Sequence, residues 1–187
     1  GESPEILSQG NIWRTADMST FVSVGNALQP FDRLLRGVEA IAAQLPQPVV
    51  LQHGATEWRS EVCETIDYLE MNEFMDYVMN SELLIMHAGA GSIIHAVDAG
   101  KIPVVVPRRS SLGEHVDDHQ FEFCRELKQA SRVIVCGEIE DLAGCVMRAI
   151  EGQCDNSFGI KPPHIVSLVH EVIQGHVRDH GEKEVKE

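Results

Sequence analysis

The residues best suited to bind a ligand lie in one stretch, Leu83-Leu84-Ile85-Met86-His87-Ala88-Gly89-Ala90-Gly91-Ser92-Ile93-Ile94. A short apolar run stops at two glycines and a serine. Apolar residues then return at helical spacing (Ile93, Ile94, Val97), the pattern of a strand, a tight turn and a helix. At such a junction Gly89 and Gly91 let the backbone approach a ligand and take positive φ. Ser92 can cap the helix or bond an oxygen, and the N–H groups of the first helical turn point outward. The chemistry this offers is anion binding, with a phosphate as the natural occupant. The dinucleotide fingerprint would need a third glycine where Ile94 stands, and the P-loop a Ser or Thr where Ile102 follows Gly100-Lys101, so neither applies. Taken alone, the hexapeptide is equally compatible with a ligand-free structural turn.

The elements that must hold this turn alternate along the chain. Thr20–Val24 is a strand ending at Gly25-Asn26, and residues 31–44 carry Leu34, Leu35, Val38, Ile41 and Ala42 at helical spacing. Val49–Gln52 is a second strand, followed by His53-Gly54, and residues 65–69 form a short third. Residues 74–80 read as a helix leading into the central strand and its glycine turn. Further on come a strand at 103–106, a helix at 117–129, a strand at 132–135, and two closing helices at 139–151 and 165–174. Apolar runs with little alternation, separated by helices, predict an α/β domain with a parallel sheet covered on both faces. Ligands of such sheets bind beyond the carboxyl ends of the strands. Gly25-Asn26, Gln52-His53-Gly54, the His87–Ser92 turn and Pro107-Arg108-Arg109 all follow strand ends, so they would gather on one rim.

Length and composition bound the function. A chain of 187 residues is one domain's worth, and 43% hydrophobic and 24% charged residues are ordinary for a globular protein. A formal charge of −14 argues against a nucleic-acid partner and requires that an anionic ligand meet a local cationic pocket. Five cysteines (Cys63, Cys124, Cys136, Cys145, Cys154), odd in number and without a C-x-x-C, fit a reduced cytoplasmic setting better than a disulfide framework or a zinc site. No signal peptide or membrane span is expected. Residues 1–19, which include Trp13, read as an N-terminal extension or expression remnant, 20–175 as the domain, and 176–187 as a charged tail.

Several stretches together resemble the glycosyltransferase family 28 C-terminal domain. They are Phe21-Val22-Ser23-Val24-Gly25 with Gln29-Pro30-Phe31-Asp32-Arg33-Leu34, then His87-Ala88-Gly89-Ala90-Gly91-Ser92, Gly100-Lys101-Ile102-Pro103, Val106-Pro107-Arg108 and Asp118-His119-Gln120. The match runs in unbroken order from about Phe21 to Cys136. Within the family the chain looks most like the short donor-binding subunits of split transferases. One such enzyme is the eukaryotic pair that adds a second GlcNAc to a dolichol diphosphate lipid. The other is a bacterial exopolysaccharide pair acting on an undecaprenyl diphosphate sugar, which the Gln29–Arg33 stretch and Pro107-Arg108-Arg109 favour.

The resemblance implies a single Rossmann-like domain, the C-terminal half of a GT-B fold. It implies that Gly89, Ala90, Gly91 and Ser92 hold the diphosphate of a UDP-sugar, and that His119 and Gln120 contact the donor sugar through groups able to bond hydroxyls. In many relatives an acidic residue binds the ribose hydroxyls at the position of His95, a departure that loosens the uridine preference. No metal or other cofactor is expected, because a helix terminus and cationic side chains can stabilise charge on the leaving UDP. Arg108 and Arg109 are the cationic candidates, with a plain solvated pair as the alternative. His87 reads either as a contact or as a buried strand-end histidine. Asp117 and Asp118 read as simple caps of the next helix. Glu114 is a candidate acid or base or else a solvated loop carboxylate, and Gly25, Asn26 and His53 are further rim candidates. No catalytic base is identifiable. A two-domain transferase needs a second domain for the acceptor, so the expected partner is a membrane-anchored subunit that holds a lipid-diphosphate acceptor. It would recruit this chain to the cytoplasmic face of the membrane, with the apolar helix at 165–173 as a docking element or a core element. A nucleotide-sugar-binding module without transferase activity, including one that forms a homo-oligomer, is the competing reading. A single-domain hydrolase lacks a recognisable nucleophile and base.

Overall fold

Runs of β-branched and apolar residues with no polar alternation must be covered on both faces, and the chain satisfies this with a three-layer arrangement. The computed structural model describes residues 19–117, 119–129 and 133–154. Trp13, Asp118, the expected helix at 165–174 and the charged tail lie outside them. Strands β1 (Thr20–Ser23), β2 (Val49–Gln52), β3 (Glu64–Ile66), β4 (Leu83–His87), β5 (Val104–Val106) and β6 (Ile134–Val135) form one sheet in the order β3-β2-β1-β4-β5-β6. All five pairings are parallel. The helices are α1 (Asp32–Ile41), α2 (Met71–Asn80), α3 (Ala90–Asp98), α4 (His119–Gln129) and α5 (Leu142–Cys154). This is the α/β domain that the alternating pattern predicts.

Alternate residues of each strand enter opposite layers. Val22, Ile85 and Val104 pack with Leu34, Leu35 and Val38 of α1 and with Leu142, Val146 and Ala149 of α5. On the other face Phe21, Leu84 and Met86 meet Val78 of α2 and Ala96 of α3, while Val105 meets Ile93 and Val97 of α3 and Phe123 and Leu127 of α4. Phe21 stacks on Tyr77 (centroids 4.9 Å) and meets Phe74 edge-on (5.7 Å). Burying such a ring is worth about 1.5–3 kcal/mol, which fixes α2 to the centre of the sheet.

Element boundaries differ from the expected ones where side chains end or extend a helix. α2 begins three residues early because Glu70 and Glu73 form a reciprocal capping box, with the Glu70 N–H donating to Glu73 Oε2 at 3.0 Å. α1 tightens into a 3₁₀ turn over Ala42–Gln44 before Leu45-Pro46. β3 ends at Ile66, half-buried on the edge of the sheet, and the exposed Asp67 and Tyr68 lead on to α2. Cys63, Cys124, Cys136 and Cys145 are free thiols.

Candidate functional site

β1 and β4 are neighbours in the sheet although far apart in the chain, with Ser23 opposite Met86, 63 positions later. The order of the strands reverses between them, and their carboxyl ends open a crevice at this switch point. Two glycines line it for different reasons. Gly25 follows β1 with φ +75°, and Gly89 follows β4 with φ −83° and ψ 128°. A Cβ on either would run into the His87 ring, which therefore fills the slot between the two turns. Burial holds the His87 pKa down to about 4, helped by the nearby Arg108 guanidinium and opposed by the Ser23 backbone. The ring is neutral at pH 7. Its Nδ1 is buried with no hydrogen-bond partner, while the residue as a whole remains partly exposed.

A measurable consequence follows from that buried neutral ring. The folded pKa lies below the unfolded value of 6.5, so the unfolded chain binds the extra proton between those pH values, and stability falls as pH drops through that window. Between pH 7 and pH 4 the wild-type chain should lose roughly 3 kcal/mol more than His87→Asn, read from urea unfolding at each pH. Parallel pH profiles for the two proteins would contradict a buried neutral His87.

α3 starts directly on this slot. Gly89 is its N-cap residue and no side chain caps the helix; the Ile93 N–H donates to the Gly89 carbonyl at 3.1 Å. The N–H groups of Ala90, Gly91 and Ser92 are thus the orphan donors of the first turn, at the positive end of the helix dipole. Two expectations need correction. Gly89 and Gly91 do not take positive φ, and Ser92 lies inside the helix rather than capping it. Glycine at 89 is required by the His87 ring, whereas a Cβ on the exposed Gly91 would meet nothing within 4 Å. Space in front of donors is what an anion needs. His95 sits further along α3, half-buried and edge-on to Phe74 with ring centroids 6.3 Å apart.

The loops on either side are held by polar contacts that sequence reading only partly anticipates. Ser23 Oγ donates to Gln52 Oε1 at 2.7 Å, and Gln52 Nε2 donates to the carbonyls of Gly25 (3.3 Å) and Asp67 (3.2 Å). Gln52 thereby sets the path of the Gly25 turn. His53 bonds the Thr56 carbonyl through Nδ1 at 2.8 Å and Asp67 Oδ1 through Nε2 at 2.9 Å, so both its nitrogens are engaged in holding the loop after β2. Asn26 is exposed at the rim.

The expected cationic candidates take different roles. Arg108 is neither a free cation nor a solvated one. It is fully buried, and its guanidinium donates to the carbonyls of Val24 (2.8 Å), Gln29 (2.7 Å) and Glu114 (2.8 Å), 4.6 Å from the Phe31 ring centroid. Burial lowers its pKa to about 10, with Glu114 opposing, which leaves it charged at neutral pH. Arg109 reaches away to the Gly137 carbonyl (2.6 Å) and to Glu138 (2.7 Å), an ion pair that raises its pKa. Glu114 is likewise not a solvated carboxylate. Both its oxygens are bound by Arg33, a residue to which sequence reading assigns no role, and Oε2 also accepts from the Arg109 N–H at 2.9 Å. Gln120 Oε1 accepts from the Arg108 N–H at 3.0 Å. His119 opens α4, but its side chain lies outside the described residues. His115 Nδ1 lies 3.1 Å from Asp117 Oδ1.

The rim therefore combines a glycine-lined slot, an uncapped helix N-terminus and two loops fastened from beneath. Among the described residues no group of three or more His, Cys, Asp or Glu is arranged to hold a metal ion, and no helix is long and apolar enough to cross a membrane. Over 94 residues the chain is 36% identical to the UDP-N-acetylglucosamine transferase subunit ALG13 of Yarrowia lipolytica, a match spanning 50% of this chain and 45% of that protein. The crystal structure of the glycotransferase of kitacinnamycin superposes with a TM-score of 0.56 at 16% identity, covering 96% of this chain and 44% of that one. The glycosyltransferase SnogD from Streptomyces nogalater aligns with a TM-score of 0.44 at 14% identity, over 85% of this chain and 43% of that one. The chain thus spans less than half the length of the proteins it matches, and its sheet and helices correspond to one half of a GT-B glycosyltransferase. Residues 20–149, from the first residue of β1 to the third turn of α5, match the family model described as the glycosyltransferase family 28 C-terminal domain, and the chain belongs to that family.

Proposed function

We propose that this chain is the UDP-sugar-binding subunit of a two-component glycosyltransferase that transfers a hexosyl residue to a polyprenyl-diphosphate-linked sugar. The observation that carries the reading is the uncapped N-terminus of α3 at the β1/β4 switch point, fronted by open space at Gly91. The donor diphosphate would lie across the N–H groups of Ala90, Gly91 and Ser92. The bond between the anomeric carbon and the diphosphate oxygen breaks, UDP leaves, and a hydroxyl oxygen of the acceptor bonds to that carbon and gives up its proton. Charge building on the departing diphosphate is stabilised by the helix terminus, whose donors are already oriented before the reaction. Arg108 serves this indirectly, by shaping the loops on either side.

Both Glu114 oxygens are taken by Arg33 and the Arg109 N–H rather than turned to an acceptor hydroxyl, so the base is assigned to the acceptor-binding subunit. That partner would be membrane-anchored and would bring this chain to the cytoplasmic face of the membrane. Support for a partner comes from the similarity to a protein named as a transferase subunit. Calorimetric titration with UDP, UDP-GlcNAc, UDP-glucose and UDP-glucuronate tests the reading. One UDP-sugar should bind selectively, and Gly91→Asp, which places a carboxylate before the helix terminus, should weaken it at least tenfold, about 1.4 kcal/mol or more. Absence of binding both by the chain alone and by the chain co-expressed with its partner would refute the donor role.

A further inference from the structure

Two loops flank the glycine turn, at residues 24–31 and 107–117, and charged side chains fasten them from within. Arg33 Nε and Nη2 each bond a different oxygen of Glu114 at 2.8 Å, and Nη2 also donates to the Pro107 carbonyl at 2.8 Å. The Glu114 carboxylate takes the Arg109 N–H, and its carbonyl takes Arg108 Nη1. The two partners are only 15% and 7% exposed. A buried pair of this kind rarely stabilises a fold more than apolar residues of the same volume would, so a role in fixing one geometry is the better account of it. The geometry it fixes is that of the segment after β5. There the Arg108 N–H meets Gln120 Oε1 at 3.0 Å. Because a donor faces it, the amide oxygen is the inward atom, and the two N–H donors of Gln120 are turned away from Arg108.

We propose that Arg33 and Glu114 are positioning residues for sugar recognition: their ion pair holds the loop so that Gln120 presents only hydrogen-bond donors to oxygens on the sugar of a bound nucleotide sugar. The proposal rests on the reading of this rim as a nucleotide-sugar site. UDP alone meets the helix terminus and does not need Gln120, whereas a UDP-sugar does. Arg33→Lys keeps the charge and loses the two-pronged contact. It should weaken the UDP-sugar selected by the wild-type chain at least fivefold and leave UDP within twofold, a split that general loosening of the domain would not produce.

In Arg33→Lys/Gln120→Ala the loss should be no greater than in Gln120→Ala alone, since Arg33 acts through Gln120. Hydrogen exchange at the Arg108 amide should quicken at least tenfold in both single variants. Should Arg33→Lys fail to fold, Glu114→Asp is read in the same way. Equal losses for UDP and UDP-sugar, no loss for either, or an Arg108 amide still protected in Arg33→Lys would overturn the proposal while leaving the donor site standing. A wild-type chain that binds neither UDP nor any UDP-sugar overturns the nucleotide-sugar reading, and this proposal with it.

Discussion

Arg108→Met should lower the unfolding free energy by about 3–5 kcal/mol, a large fraction of the stability of a domain this size. The guanidinium is fully buried and serves three carbonyls that lie far apart in sequence, those of Val24, Gln29 and Glu114. Leaving a buried carbonyl unpaired costs about 1–3 kcal/mol, so three of them set an upper limit well above the expected value. The expected loss is smaller because methionine removes the cost of burying the charge and also removes Nε, which has no partner. Methionine also keeps an apolar body against Phe31, so packing changes little beyond the lost attraction between cation and ring, 4.6 Å apart. Urea unfolding at pH 7 measures the difference. A loss below about 1 kcal/mol would mean that the carbonyls find other donors once the arginine is gone, and that Arg108 does not hold the two loops together.

That role shows where sequence reading stops. The strands are legible because burial on both faces leaves a local mark, an unbroken apolar run such as Val104–Val106 or Leu83–Met86. The positions of the glycine turn and of Gly25 on the rim are legible too, since strand ends in a parallel sheet point one way. What the run of residues does not carry is the partner of a long side chain. Arg108 and Arg109 stand side by side, yet one turns inward to carbonyls 84 and 79 residues earlier and the other outward to Glu138. Glu114 looks like a loop carboxylate because Arg33, its partner, lies 81 residues away. The glycines pose a similar problem. A glycine can mark positive φ or close approach, and which one applies at Gly89 depends on the His87 ring folding back over it. Gln52 gave a weaker local signal, a polar residue closing an apolar strand, which often marks a side chain serving the turn beyond it.

Gly25→Ala should be among the most damaging single-methyl additions in the chain, lowering stability by roughly 2–5 kcal/mol through left-handed backbone strain and overpacking acting together. At φ +75° an alanine is strained whatever space it has, and here its Cβ also meets the His87 ring. The ring has little freedom to yield, because moving away from Gly25 carries it toward Gly89, where a second backbone already touches it. Gly89→Ala separates the two causes. Its φ of −83° suits any residue, so its cost is the steric part alone, about 1–3 kcal/mol. A double-mutant cycle with His87→Ala then gives opposite patterns. Removing the ring should restore nearly all that Gly89→Ala loses relative to His87→Ala, but only part of what Gly25→Ala loses, the remainder being backbone strain of about 1–2 kcal/mol. If His87→Ala relieves neither substitution, the ring does not keep these two turns glycine. The neutral His87 would then have to be explained apart from the slot that the two glycines form at the mouth of the site.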